Sequence, residues 1–150
     1  MLIIGWGNRD CGDDGAGVMV AERLRALGLN AQIHTGEAFD LLEAWSRDDD
    51  VVVVDAVVTG ASGGKVWRWD CGLLAAHANF STSTHGFNLG EAIGLARILD
   101  RLPKRLRVFG IEGVRFEVGS EISPAVICAV KEVAAQIMAE EVCAKKGLTE

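Results

Sequence analysis

Two acidic side chains and one imidazole are the residues of this sequence best suited to chemistry. Asp14 lies in the glycine-containing stretch GWGNRDCGDDGAG, Asp55 follows four consecutive valines, and His85 follows the polar stretch STST. Two carboxylates and an imidazole form a ligand set for a divalent transition metal. Three protein ligands also leave coordination positions open for a reaction. The residue types therefore predict a metal-dependent centre, if the fold brings them together.

Each of these residues also has a purely structural interpretation, and spacing alone leaves both open. Asp14 could cap a helix, Asp55 could bind the amides of a neighbouring loop, and His85 could bond to the hydroxyl groups just before it. An unpaired carboxylate that ends a valine strand is costly to bury, so Asp55 is expected to have a partner. Glu37 is either a fourth acidic group nearby or an exposed residue at a helix start.

The glycine-containing stretch does not fit a nucleotide site. Gly5 and Gly7 are followed by Gly12, which is too late for the dinucleotide fingerprint, and the Lys-Ser/Thr pair of a P-loop is absent. Asp13 and Asp14 stand where a phosphate would bind. Because anions there would repel each other, a cation is the better partner.

The hydrophobic pattern predicts alternating strands and helices. Strands are expected over residues 2–4, 30–35, 51–54, 65–69 and 106–111, and helices over residues 15–27, 36–47, 87–102 and 123–144. The link between the third and fourth strands is too short for a helical crossover. The fourth strand should therefore run antiparallel, at or near a sheet edge, with Trp67 and Trp69 on one face.

These elements predict an α/β fold, a three-layer αβα sandwich around a mixed, mostly parallel sheet of about five strands. Residues 1–150 are expected to form a single domain. Right-handed crossovers would place the loops after strands one, three and five at one edge, where ligands of such sheets bind. If strands one and three are neighbours, Asp14, Asp55 and His85 meet there.

Composition limits the classes of partner. The net charge of -6 and the pI of about 5.1 offer no basic patch for nucleic acid. Apolar runs are too short for a membrane span. The first strand begins directly after Met1, so no secretion signal is expected, and the cytoplasm is the predicted compartment.

The four cysteines show neither a CxxC pair nor zinc-site spacing and are expected to be reduced thiols. Cys128 and Cys143 lie in an apolar helical pattern and are expected in the core. Cys11, beside the glycine turn, is the one candidate nucleophile, although a bystander role is the favoured interpretation.

Four blocks of the sequence together resemble the hydrogenase maturation proteases. They are GWGNRDCGDDGAG, VVVVDAV, STSTHGFNLGEAI and the late GIEG followed by EISPAV, in family order and spacing over roughly residues 1–130. The resemblance implies that Asp14, Asp55 and His85 are the metal-sensing residues. Two loops depart from the family: the second strand is followed by Thr35-Gly36-Glu37 instead of Gly-Thr, and Gly113 replaces a proline after Glu112.

The resemblance implies a cytoplasmic, aspartic-type endopeptidase that activates another enzyme. It would remove the C-terminal extension of a nickel-iron hydrogenase large-subunit precursor after nickel insertion. The nickel would arrive with that partner, so no tightly bound cofactor, nucleic acid or membrane is implied. The alternatives are a metal-independent hydrolase of small esters or amides that uses Asp55 and His85, and a non-catalytic metallochaperone or docking module for a hydrogenase subunit.

Overall fold

The computed structural model of the protein describes residues 1–35, 37–70 and 89–147. In these residues five strands form one sheet, with helices on both faces. The strands are β1 (Leu2–Trp6), β2 (Ala31–His34), β3 (Asp50–Val57), β4 (Val66–Asp70) and β5 (Arg105–Glu112). The helices are α1 (Ala16–Ala26), α2 (Ala38–Ala44), α3 (Leu89–Ile98) and α4 (Pro124–Gly147).

The strand order is β2-β1-β3-β5-β4. Strands β1, β2, β3 and β5 are parallel, and β4 pairs antiparallel with β5 at the edge of the five-stranded sheet. The predicted α/β fold with a mixed, mostly parallel sheet is therefore confirmed. The antiparallel direction of β4 and the adjacency of β1 and β3 are confirmed as well.

The core has two halves, one on each face of the sheet. Helices α1 and α4 cover one face with side chains such as Leu24 and Val133. Helices α2 and α3 cover the other face with side chains such as Leu42 and Ile93. The three predicted layers follow from these amphipathic helices.

The valines of β3 explain its central position. Val52 and Val54 belong to the core half under α1 and α4, and Val51 and Val53 belong to the other half. All four are fully buried. A strand covered on both faces needs this continuous apolar run, in contrast to the alternating pattern of a strand with one wet face.

Two sequence-based expectations about individual residues are wrong. Strand β3 continues past its valines to Val57, so Asp55 lies inside the strand and not at its end. Cys128 and Cys143 are exposed on α4, whose buried stripe runs through other positions, whereas Cys11 is buried.

No α-helix in the described ranges combines the length and the apolar character that crossing a bilayer requires.

At the amino ends of β3 and β5 lies a cluster of opposite charges, here called the amino-edge cluster: Asp50, Arg68, Arg107 and Glu140. Arg107 is buried and donates to Asp50 Oδ1 at 2.5 Å and to Glu140 of α4. Arg68 of β4 pairs with the second oxygen of Glu140 at 2.9 Å. The cluster therefore links α4 to three strands with alternating charges.

Candidate active site

The carboxyl ends of β1, β3 and β5 form one edge of the sheet, here called the carboxyl edge. A single 3₁₀ turn, Gly12–Gly15, follows the loop after β1 and carries Asp14 to this edge. Asp55 reaches the same edge from β3, the neighbour of β1. The structure thus places two of the three predicted site residues side by side.

Glycines allow the turn and α1 to press against the sheet. A Cβ atom on Gly7, whose φ is +144°, would lie 1.9 Å from the carbonyl oxygen of Asp14. A Cβ atom on Gly17 of α1 would lie 2.2 Å from the carbonyl oxygen of Val54 and 2.6 Å from that of Trp6. Side chains at these positions would push Asp14 away from β3.

Asp14 is 3% exposed. The backbone N–H of Asn8 donates to Asp14 Oδ2 at 2.9 Å. The side-chain oxygen of Asn8 accepts from the N–H of Asp10 at 2.9 Å, a local turn that fixes the loop after β1. Asn8 therefore both shapes the loop and holds one oxygen of Asp14.

Asp55 is 5% exposed, and its pKa lies well above the ordinary value. Burial is the main cause, because it disfavours the charged form, and the negative charge of Asp14 adds to it. The N–H of Ala56 donates to Asp55 and opposes the shift. The two acids therefore repel each other in a site with little water, which favours a bound proton or cation.

Two tryptophans of β4 lie across β5 from Asp55. In the sheet register Asp55 pairs with Gly110 of β5, and Gly110 pairs with Trp67 of β4. A Cβ atom on Gly110 would lie 2.6 Å from the ring of Trp69, so the tryptophan covers the space that a side chain would fill. Trp67 and Trp69 stack with ring centroids 5.9 Å apart.

His85, the third predicted site residue, lies outside the described residues, as does His77. Within residues 1–35, 37–70 and 89–147 no group of three His, Cys, Asp or Glu side chains could hold a metal ion. The described part of the site is therefore a pair of carboxylates, which supply hard oxygen ligands and can act as acid or base. A complete three-residue centre stays a prediction.

Asp13 has a different role from its neighbour. It is fully buried and accepts hydrogen bonds from the N–H groups of Val114, Arg115 and Ser123 and from the Ser123 hydroxyl. Burial alone would raise the pKa of Asp13, but these hydrogen bonds outweigh it and hold the pKa below its ordinary value. The structural alternative for Asp14, that it caps the helix start, is not what the structure shows, since neither the turn nor α1 has a side-chain cap.

Glu112, to which the sequence analysis gave no role, is a second buried carboxylate saturated by donors. Its side chain accepts from the N–H and hydroxyl of Thr59, the N–H of Gly60 and the indole N–H of Trp67. These bonds fix the turn between β3 and β4. An acid after a run of apolar residues in the sequence was the available signal, and the same signal marked Asp55.

The remaining candidates lie outside the carboxylate pair. Glu37 is exposed and caps α2, where its side chain accepts from the backbone of Asp40 and the Asp40 carboxylate accepts from the Glu37 N–H at 3.1 Å. Of the two alternatives for Glu37, the structure therefore shows the exposed residue at a helix start. His34 contacts Gln32 at 3.2 Å.

Comparison with known proteins agrees with the resemblance of the four sequence blocks. Residues 32–140 match the family model described as HycI, hydrogenase maturation protease. The matched range includes Asp55 and His85 and begins after Asp14. A search of the curated proteins gives no significant match.

Solved structures share the fold over nearly the whole chain. The hydrogenase maturating endopeptidase HybD from Escherichia coli is 23% identical with a TM-score of 0.76, over 93% of this chain and 90% of its own. The [NiFe] hydrogenase maturation protease HybD from Thermococcus kodakarensis is 21% identical with a TM-score of 0.72, over 94% and 97%. The HycI protease from Thermococcus kodakarensis KOD1 is 26% identical with a TM-score of 0.66, over 91% and 88%. With the family match over residues 32–140, the chain belongs to the hydrogenase maturation proteases, hydrolases of peptide bonds.

Proposed function

We propose that the protein removes the C-terminal extension of a nickel-iron hydrogenase large-subunit precursor once nickel has been inserted. The observation that carries the proposal is the buried pair of Asp14 and Asp55 at the carboxyl edge. Two like charges in a site with little water create a strong preference for a cation. A nickel ion carried by the substrate would supply that cation only when the substrate is ready.

In this proposal Asp14, Asp55 and His85 bind the nickel of the precursor and thereby place the scissile peptide next to the site. The peptide is cut by a water molecule, activated by the substrate's nickel or by one carboxylate acting as a base. This is aspartic-type hydrolysis, with no covalent enzyme intermediate. The buried thiol of Cys11 has no part in it, so a Cys11→Ala variant should process the precursor normally.

We propose the cytoplasm as the compartment of this reaction. The exposed cysteines Cys128 and Cys143 are unpaired in the structure. Exposed unpaired thiols suit a reducing compartment.

The test is mass spectrometry of the precursor's C-terminus before and after incubation with the protein, with nickel-loaded and nickel-free precursor in parallel. Cleavage is expected only with nickel. Asp14→Asn, Asp55→Asn and His85→Ala should each lower the rate by about 10²-fold or more while the protein stays folded. Binding of the precursor without any cleavage would identify a docking module instead. Hydrolysis of small esters by the free protein would identify the metal-independent hydrolase.

A further inference from the structure

Asp13 and Asp14 are adjacent in sequence, but their side chains face different parts of the protein. They lie in a 3₁₀ turn, which has about three residues per turn, so successive side chains point about 120° apart. Asp13 faces the segment that follows β5, and Asp14 faces β3. The turn is thus held by one aspartate and presents the other.

Asp13 anchors this turn from both its side chain and its backbone. Its carboxylate accepts from Ser123 N–H at 2.6 Å, Ser123 Oγ at 2.8 Å, Val114 N–H at 2.8 Å and Arg115 N–H at 3.0 Å. Its own N–H donates to the Arg115 carbonyl at 2.7 Å. Hydrogen bonds to a charged acceptor are stronger than neutral ones, so this anchor is rigid.

Such an anchor is needed because the two site carboxylates repel each other. The turn that bears Asp14 is short and is preceded by a glycine-containing loop, which the Gly119 N–H holds at the carbonyl of Asp10 at 2.7 Å. Holding Asp14 beside Asp55 against the repulsion requires that the turn itself be fixed as well. The N–H of Asn8 lies in the loop before the turn and gives Asp14 Oδ2 a single hydrogen bond at 2.9 Å, which lengthens if the turn moves away from that loop. Asp13 instead ties the turn to residues about a hundred positions away, beyond β5.

We infer that Asp13 is a positioning residue that holds the Asp14 carboxylate next to Asp55 by fixing the 3₁₀ turn to the segment after β5. Its effect on catalysis rests on the proposed function, whereas its effect on the position of Asp14 does not. Asp13 itself is fully buried, so its carboxylate is not accessible to a substrate at the surface.

The first test reads the position of Asp14 in the free protein. In Asp13→Asn the side chain keeps its shape, but its charge is lost and one of its two oxygens becomes an NH2 donor, so the anchor is weakened and at least one of its hydrogen bonds is lost. The backbone amide of Asn8, followed by ¹H–¹⁵N NMR, should then shift upfield and exchange faster with solvent. Glu112→Gln is the matched control, because it disrupts another buried carboxylate with four donors; there the Asn8 signal should stay in place.

An Asn8 amide that is unchanged in Asp13→Asn would overturn the inference. If Asp13→Asn does not fold, Ser123→Ala takes its place, since it removes one of the four hydrogen bonds and leaves Asp13 intact. A smaller Asn8 shift in the same direction is then expected. The absence of any shift in Ser123→Ala would equally overturn the inference.

The second test separates positioning from simple stabilisation by kinetics on the nickel-loaded precursor. Asp13→Asn should lower kcat by about 10²-fold at an unchanged KM, because a displaced catalytic group mainly affects the chemical step. Glu112→Gln should lower the melting temperature with kcat unchanged. A normal kcat in folded Asp13→Asn would refute the positioning role. If the wild-type protein does not cleave the precursor, the proposed function fails, and the Asn8 comparison alone decides the role of Asp13.

Discussion

A charged side chain is buried at each edge of the sheet. At the amino edge its neighbours carry the opposite charge, and at the carboxyl edge its neighbour carries the same charge. At the amino edge Arg107 lies between Asp50 and Glu140, and Glu140 also binds Arg68. At the carboxyl edge Asp55 lies next to Asp14, a residue of the same charge. The first arrangement neutralises its charges within the protein, and the second brings two acids of the described residues together in a site that favours a bound proton or cation.

The carboxyl edge itself contains both kinds of carboxylate. Asp13 and Glu112 each accept four hydrogen bonds and hold loops in place. Within residues 1–35, 37–70 and 89–147, the Ala56 N–H is the donor shown for Asp55, and the pKa of Asp55 is raised by burial and by Asp14. Buried acids with raised pKa values concentrate at functional sites, whereas saturated ones act as structure. Neutralising Asp55 is therefore predicted to stabilise the fold, whereas neutralising Asp13 or Glu112 is predicted to destabilise it.

Arg107→Ala should have the largest effect on stability. It removes the buried cation that Asp50 and Glu140 share, but these carboxylates are 35% and 22% exposed and keep Arg105 and Arg68 as partners. The loss of unfolding free energy should therefore lie at the lower end of the about 3–5 kcal/mol that breaking a fully buried ion pair costs. Urea denaturation measures the loss. The matched control is Arg47→Ala, which removes an exposed arginine paired with exposed Asp100 and should cost about 1 kcal/mol or less. Equal losses in the two variants would remove the distinction between a balanced cluster and a surface pair.

In contrast to Arg107→Ala, which should lower the unfolding free energy, Asp55→Asn should raise it. It removes a buried charge and its repulsion from Asp14 at nearly constant volume, so the unfolding free energy at pH 8 should rise by about 1 kcal/mol while processing is lost. Glu112→Gln is the control, since it disrupts a saturated cradle and should destabilise by about 1–3 kcal/mol. A destabilised Asp55→Asn protein would mean that Asp55 is a structural acid like Glu112.

The pH profile sharpens the same prediction. The pKa of Asp55 is raised in the folded state, so its contribution to stability is fully present below the ordinary value of 3.8 and is lost as pH rises through the raised value. The advantage of Asp55→Asn should therefore be absent near pH 4 and grow toward neutral pH. The pKa of Asp13 is lowered, so its contribution is present above 3.8 and is lost as pH falls. Urea titrations over this range would contradict both shifts if the variants and wild type gave parallel profiles.

The sequence predicts the fold well because hydrophobic periodicity identifies the helices and strands, and their alternation implies the three layers. The valine run 51–54 could only be a strand covered on both faces, and the short link before β4 could only join antiparallel strands. The ends of strands were harder to predict from the sequence. Asp55 interrupts the apolar run, which suggests a strand end. Pairing with β5, in which Asp55 lies opposite Gly110, nevertheless extends β3 to Val57.

Which of two adjacent aspartates faces the site is set by partners distant in sequence. Asp13 and Asp14 have the same side chain, and the difference arises because Ser123, 110 positions away, meets only the first. A resemblance to a family assigned Asp14, but nothing local could assign the anchoring role of Asp13. The prediction that Cys128 lies in the core failed for a related reason. Cys128 belongs to a long apolar helix, α4, but lies just outside its buried stripe and is exposed.

Glu37→Ala should have the smallest effect on stability and processing. It tests whether processing depends on the carboxylate pair itself or only on the amount of negative charge near the ends of the strands. Glu37 follows β2 but is exposed and engaged in the capping box of α2. Losing that cap should cost about 0.5–1 kcal/mol of unfolding free energy. Processing of the nickel-loaded precursor should stay within about twofold of wild type, as for other surface changes. Asp14→Asn removes the same unit of charge from inside the pair, so its much larger loss would show that position, and not charge count, determines the reaction. Similar losses in the two variants would instead mean that the precursor is drawn in by the overall negative potential of this region, in which case raising the salt concentration should abolish the difference from wild type.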